Sequence, residues 1–191
     1  MKNVYFIRHG QSTGNIDIPA EDHTLIPLTE LGHRQAEAVP DKLTFILDII
    51  ITSPYTRARQ TAEPTIKKYS SVPVEIWPEI QEFTSLSPVR CYKTNREQRR
   101  PWVQEYWKNM DPYYNDGDGA ESFAYLIERA EKALEKLMKL PYENIVLFSH
   151  GQFMVAFDIM FHHKDMPIKE KMELVHKTPA VRNTDIVKYM I

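Results

Sequence analysis

Cysteine is all but absent: Cys91 is the only one in 191 residues. A lone thiol excludes a disulfide framework and a cysteine-based metal cluster. It suits a reducing cytoplasm, where Cys91 is a passive side chain. No apolar run approaches the roughly 18 residues of a membrane-spanning helix. No signal peptide is expected either, since Met1-Lys2-Asn3 leads straight into a short strand. Neither sign of charge dominates: 24 Lys and Arg stand against 26 Asp and Glu, a formal net charge of −2. That balance gives no global argument for nucleic acid or an acidic membrane as a partner. Repeats, linkers and low-complexity tracts are missing too. What these absences leave is one globular domain over residues 1–191, long enough to bury a sizeable core.

The first stretch that carries chemistry is Arg8-His9-Gly10-Gln11-Ser12-Thr13-Gly14-Asn15. It follows Val4-Tyr5-Phe6-Ile7, a short apolar run of the kind that makes a buried strand. A strand running into Arg-His-Gly ends at a turn, because glycine admits backbone angles that other residues resist. The arginine and imidazole then stand at a strand's carboxyl end, where open α/β sheets bind ligands. Ser12, Thr13, Gly14 and Asn15 add hydroxyls, an amide and free backbone N–H groups, which suit an oxyanion. Arg8 would hold it as a planar fork. His9 is the only nearby group able to attack it. Alone, the motif more often describes an Arg-His pair in a surface turn.

Two further strands change the balance. Ser149-His150-Gly151 follows the apolar run from Asn144 to Phe148, and Ser53-Pro54-Tyr55-Thr56-Arg57-Ala58 follows Ile49-Ile50-Ile51-Thr52. With Leu28-Thr29-Glu30-Leu31-Gly32, Gln35-Ala36, Arg59-Gln60-Thr61-Ala62, Glu82 and Glu121-Ser122, these pieces span most of the chain in one order. The set resembles the histidine phosphatase superfamily, the phosphoglycerate mutase-like proteins. Residues 83–119 carry no signature of that family.

Hydrophobic periodicity supplies the elements. Strands are predicted over residues 2–7, 48–52, 73–77 (at or near an edge), 144–149 and 185–190. A helix capped by Thr29 carries Leu31, Ala36, Val39 and Leu43 as a rough apolar face and ends or kinks at Pro40. A second opens at Ser53-Pro54 and kinks at Pro64. Residues 121–140 repeat apolar side chains at helical spacing, and another helix covers 151–163. One short helix is expected near 96–108 inside an otherwise irregular stretch. Strands alternating with helices imply a mostly parallel sheet covered on both faces. The resemblance implies the same: an α/β fold, a three-layer α/β/α sandwich.

The resemblance also implies roles. Arg8, Arg57 and His150 would surround the phosphoryl oxygens, His150 protonated when phosphate is bound. Asn15 and backbone N–H groups, with Gly151 and Gln152 at the second histidine, would complete the pocket. His9 would attack through an unprotonated ring nitrogen while the other nitrogen meets a backbone carbonyl, giving a phosphohistidine. Glu82 stands where the family places its acid and would serve as acid, then base; Glu79 is its local rival, and an Asp of the 116–118 turn a weaker one. Glu121 reads as a first-turn helix acid. Gln11 stands where many phosphatases have Glu, a faint hint toward mutases. His162-His163 reads as a helix-end pair. Zinc would need a third ligand that the spacing does not supply, so neither metal nor cofactor is expected.

The implied activity is hydrolysis of a small phosphate monoester. The alternative is a cofactor-dependent mutase, whose representatives usually have longer chains. A non-catalytic binding module is a third reading. The 83–119 insertion mixes Arg90, Arg99 and Arg100 with large aromatics. It suits a substrate-side cover, and equally a packed insertion or a homodimer surface.

Overall fold

The apolar runs that end in Arg8, Thr52 and Ser149 lie side by side. In the computed structural model, which describes residues 1–191, they are β1 (Asn3–Arg8), β2 (Ile49–Thr52) and β4 (Asn144–Ser149). The edges are β3 (Val74–Ile76) and β5 (Ile186–Met190), in the order β3-β2-β4-β1-β5. The first four strands are parallel, and β5 runs antiparallel to β1. Arg8 pairs with Ser149, and Thr52 with Phe148. His9, Ser53 and His150 therefore leave the sheet together at its carboxyl edge.

Successive strand side chains point to opposite faces, so each central strand feeds two cores. Val4, Phe6, Ile49, Ile51, Ile145 and Leu147 face the larger one, packed under α5 (Phe123–Lys139), α6 (Gly151–His162) and α7 (Ile168–Lys177). Ile7, Ile50, Val146 and Phe148 face the smaller one, under α2 (Val39–Lys42) and α3 (Thr56–Lys68). α1 (Glu30–Glu37) packs on α3. The result is the three-layer sandwich with a mostly parallel sheet that the alternation implied. No helix is long and apolar enough to cross a membrane.

Several elements differ from the sequence reading. The first predicted helix is two, broken at Ala38, with Pro40 inside the first turn of α2. Leu31 is exposed, and Gly32 and Ala36 form the buried face of α1. α3 starts at Thr56, not Ser53, and runs through Pro64. α7 was not anticipated; its buried face includes Lys171, whose Nζ donates to the Lys164 carbonyl at 2.9 Å, and the charge disguises the apolar stripe.

The 83–119 stretch holds a full helix, α4 (Arg96–Asn109), started by a capping box between Asn95 and Gln98. Its aromatics do not mainly cover a pocket. Phe83, Tyr106 and Trp107 are buried in the larger core, so the insertion is rooted in the domain. It is also zipped to the 16–28 loop: the Lys93 N–H donates to Ala20 O at 3.1 Å, Lys93 pairs with Glu21, and the Arg96 N–H donates to Asp17.

Candidate active site

His9 is 3% exposed at the end of β1. Its backbone is held on both sides: its N–H donates to Ser149 O at 3.0 Å, and its carbonyl accepts from Asn183 Nδ2 at 2.7 Å. Nδ1 lies 2.7 Å from the Gly10 carbonyl, which can only accept, so Nδ1 carries the proton. Nε2 is left with its lone pair, toward which Arg57 Nε donates across 3.3 Å. Burial first, then the Arg57 charge, hold His9 well below the usual histidine range. The ring is thus a neutral imidazole of fixed tautomer, the form a nucleophile needs.

The two arginines arrive from different layers. Arg57, in the first turn of α3, is 7% exposed; Nη1 donates to His23 O at 2.8 Å and the guanidinium stacks 5.0 Å over the Tyr55 ring. Arg8 donates through Nη1 to the carbonyl of Val181, on the strap between α7 and β5. The Arg8 Nε is buried and has no protein partner. Burial lowers both arginines somewhat from their ordinary range, and the nearby Glu82 charge opposes this. Both remain cations at neutral pH.

His150 is fully buried at the N-cap of α6, its ring 5.2 Å from that of His9. Ser53 Oγ accepts the Tyr55 N–H at 3.3 Å and lies 2.8 Å from His150 Nε2, where it can give its own proton. That leaves His150 Nδ1 as a buried group with no partner. Burial, Arg57 and His9 hold His150 well below the usual range. The ring is therefore neutral in the free protein, and the protonated form expected with phosphate would need the oxyanion's own charge. Gly151 follows, and a side chain there would crowd Arg8: a Cβ would lie 3.1 Å from Arg8 Nε and 3.3 Å from Ala180 Cβ.

Glu82 lies past β3, after the one-turn helix Pro78–Ile80. Its Oε1 accepts from Phe83 N (2.9 Å) and Phe153 N (3.0 Å), and Oε2 accepts from Gln152 N at 3.4 Å. The carboxylate thus sits on the amino end of α6. Gln152, read as offering its backbone N–H or its amide to phosphate, gives the N–H to Glu82, which leaves the side-chain amide. Glu79 is drawn away by Lys136 at 3.0 Å. Asp116 is buried under Arg90, Ser87 N and Tyr114. Of the carboxylates considered for the acid, Glu82 alone lines the cleft that opens beside Arg57, of about 220 Å³.

Asn15 turns its carbonyl oxygen inward, accepting from Ser12 N at 3.0 Å and Ser12 Oγ at 3.2 Å. This leaves its amide NH₂ as a donor. Gln11 turns to Thr29, whose hydroxyl donates to it at 2.8 Å. The wall of the cleft opposite the 16–28 loop is built by Phe83, Leu86, Pro88, Cys91 and Arg99. Arg99 has no acidic partner, whereas Arg90 pairs with Asp116 at 2.7 Å and stacks on Trp102, and Arg100 is exposed. No three His, Cys, Asp or Glu side chains come together as a metal-ligating group.

Sequence reasoning missed Asn183, the Val181 carbonyl, His23 and Arg129. None belongs to a local motif; each reaches the site by tertiary packing. Ser53 and Tyr55 stood within the quoted motif, and a hydroxyl two residues before the tyrosine that precedes a helix was the available signal for them.

A family model described as the histidine phosphatase superfamily (branch 1) matches residues 4–185. The "Uncharacterized phosphatase PhoE" of Bacillus subtilis is 36% identical over 153 residues, covering 79% of this chain and 72% of that protein. The adenosylcobalamin/alpha-ribazole phosphatase of Escherichia coli is 29% identical over 153 residues, covering 77% and 72%. Relatives from Cronobacter sakazakii and Proteus mirabilis carry the name "Probable phosphoglycerate mutase GpmB". Among solved structures, the alpha-ribazole phosphatase from Shigella flexneri superposes with a TM-score of 0.76 at 22% identity, covering 97% of this chain and 89% of that one. At that identity the likeness is one of fold.

Proposed function

The chain belongs to the histidine phosphatase superfamily, and from that premise we propose that it hydrolyses a small phosphate monoester through a phosphohistidine on His9. One observation carries the reading. The unprotonated Nε2 of His9 lies among Arg8, Arg57 and His150, and two of their buried nitrogens, Arg8 Nε and His150 Nδ1, have no protein partner. A buried polar group without a partner is costly, and a phosphoryl oxygen would satisfy both.

In the first step His9 Nε2 forms a bond to phosphorus as the ester P–O bond breaks. Arg57 Nε transfers its hydrogen bond from Nε2 to a phosphoryl oxygen, and Arg8, His150 and the Asn15 amide hold the others. The charge spread over the equatorial oxygens is what these donors stabilise. Glu82 gives the leaving alkoxide its proton. Its Oε2 has the weaker hydrogen bond and is the oxygen free to carry that proton. In the second step water attacks phosphorus, the P–N bond breaks, and the Glu82 carboxylate takes the proton from water.

The cleft beyond Glu82 receives the leaving group. Its apolar wall with an unpaired arginine suits an alcohol that has an apolar part and a distal anion. The positive charge of the site comes from side chains, so the reaction is metal-independent. The test is His9→Ala, expected to abolish turnover, with rapid quench of the unmodified enzyme trapping acid-labile, base-stable phosphate on His9. A His9→Ala enzyme near the normal rate overturns the mechanism. A mutase would form the same intermediate, and an assay with a bisphosphate primer separates the two.

A further inference from the structure

A buried ion pair brackets the proposed acid. Arg129 of α5 is 4% exposed and Glu121, just before α5, is 7% exposed. Arg129 forks onto Glu121 through Nε (3.1 Å) and Nη2 (2.7 Å). Its Nη1 reaches across to the loop before Glu82 and donates to the carbonyls of Glu79 (2.7 Å) and Gln81 (2.8 Å). Glu121 grips the loop on the other side. Its Oε1 accepts from Thr84 N at 3.0 Å, and its own N–H donates to Thr84 O at 2.9 Å. The Arg129 guanidinium also lies 5.2 Å over the ring of Phe153, whose N–H holds Glu82 Oε1. One ion pair thus touches the chain before Glu82, the chain after it, and the helix end that receives its carboxylate.

From this bracket we infer that Glu121 and Arg129 are positioning residues for Glu82, setting where the acid stands relative to the leaving group. The inference rests on the proposed role of Glu82. Stability alone does not account for the pair, because replacing a buried ion pair with packed apolar groups is often neutral or stabilising. What an apolar pair could not do is fix the carbonyls of Glu79, in the one-turn helix, and of Gln81, and the N–H of Thr84, on either side of Glu82. Acid–base transfer tolerates little error, and a misplacement of about 1 Å can cost on the order of 10²-fold.

The test uses leaving groups. An alkyl alkoxide needs the proton of Glu82, and a nitrophenolate barely does. We compare kcat/KM on glycerol 2-phosphate and p-nitrophenyl phosphate, which reports the first step and not the second. The variants are Glu121→Leu/Arg129→Met, which leaves no unpaired charge, and Glu121→Gln and Arg129→Lys singly, with Glu82→Gln beside them and folding checked by thermal melts. Glu82→Gln should lose far more on glycerol 2-phosphate than on p-nitrophenyl phosphate, by about 10²–10⁴-fold. Folded pair variants should lose tenfold or more on glycerol 2-phosphate and less than about threefold on p-nitrophenyl phosphate. Parallel losses on both substrates, or none on either, in any folded pair variant overturn the inference while leaving Glu82 its role. No leaving-group dependence in Glu82→Gln overturns both. If the double variant does not fold, the two single variants, which keep polar groups in place, decide the matter.

Discussion

Gly32→Ala puts one methyl group where the turn after His9 touches a helix. The first turn of α1 lies directly on residues 10 and 11. A Cβ on Gly32 would stand 2.0 Å from the Gln11 carbonyl oxygen, and one on Gly10 would stand 2.6 Å from the Gly32 carbonyl oxygen. From 2.0 Å to the 3.4 Å of ordinary contact, α1 and the turn must part by about 1.4 Å. That opening breaks two bonds that tie them: Thr29 N to Gln11 O at 2.9 Å, and Gln11 N to Gln35 Oε1 at 2.7 Å. Overpacking costs about 1–3 kcal/mol and each lost hydrogen bond about 1 kcal/mol. The better helix propensity of alanine returns about 1 kcal/mol. The net is a loss of about 2–4 kcal/mol, or on the order of 10 °C in Tm for a chain of this size. The turn also carries the Gly10 carbonyl that orients His9, so kcat/KM on p-nitrophenyl phosphate should fall about 10²-fold. Gly14→Ala is the milder comparison, since its Cβ would meet only side chains, Ile26 at 3.2 Å and Ser12 Oγ at 3.8 Å, and no backbone, and should lower Tm much less. Thermal melts and steady-state kinetics decide it. A Gly32→Ala protein that melts within about 2 °C of the unmodified one and keeps its rate would refute the close packing from which this cost is derived.

Arg99→Ala should lower kcat/KM on the best substrate of a phosphate-ester panel well over tenfold and leave p-nitrophenyl phosphate nearly unchanged; Arg90→Ala, which breaks the Asp116 pair, should lower Tm instead. Equal kinetic effects of the two would remove Arg99 from substrate recognition. Stability should fall with acid. His9 and His150 titrate well below their ordinary range in the fold, so the unfolded chain takes up protons near pH 6.5 while the folded one does not. Their contribution is complete above about pH 6.5 and is lost as pH falls toward the folded values, by up to about 1.4 kcal/mol per pH unit for each histidine. Melts between pH 7.5 and 5 measure this, and a Tm that rises on acidification would contradict it. Activity should survive exhaustive chelation; a large loss with EDTA restored by one divalent ion would show a metal requirement.

Local pattern carried the frame of the molecule. Ile49-Ile50-Ile51 and the run from Asn144 to Phe148 were read as strands of a sheet covered on both faces, and they are β2 and β4. The repeat of Phe123, Leu126, Ile127, Ala130, Leu134 and Leu137 gave α5 to within two residues. Pro73 to Trp77 was read as at or near an edge, and β3 is an edge strand whose three residues are all exposed. Where the pattern was diluted the reading was incomplete. Lys171 hid α7, and for residues 83–119 a substrate-side cover, a packed insertion and a dimer surface stayed open, because a sequence does not say which surface a tryptophan meets. Trp107 meets the core.

The sequence by itself determined the residue types of the candidate site and the strands that deliver them, because Arg-His-Gly and His-Gly each follow a strand within a few residues. Short-range geometry suffices for that. It did not determine what those side chains touch. That Arg57 shares a hydrogen bond with His9 Nε2, that Asn183 holds the His9 carbonyl from 174 positions away, and that Arg129 ties down the loop of Glu82 are decided by the order of strands and the packing of α3, α5 and the β5 strap. The tautomer of His9 and its suppressed charge follow from the same packing. Burial and the approach of a second charge set them, and neither is a property of any short stretch of chain.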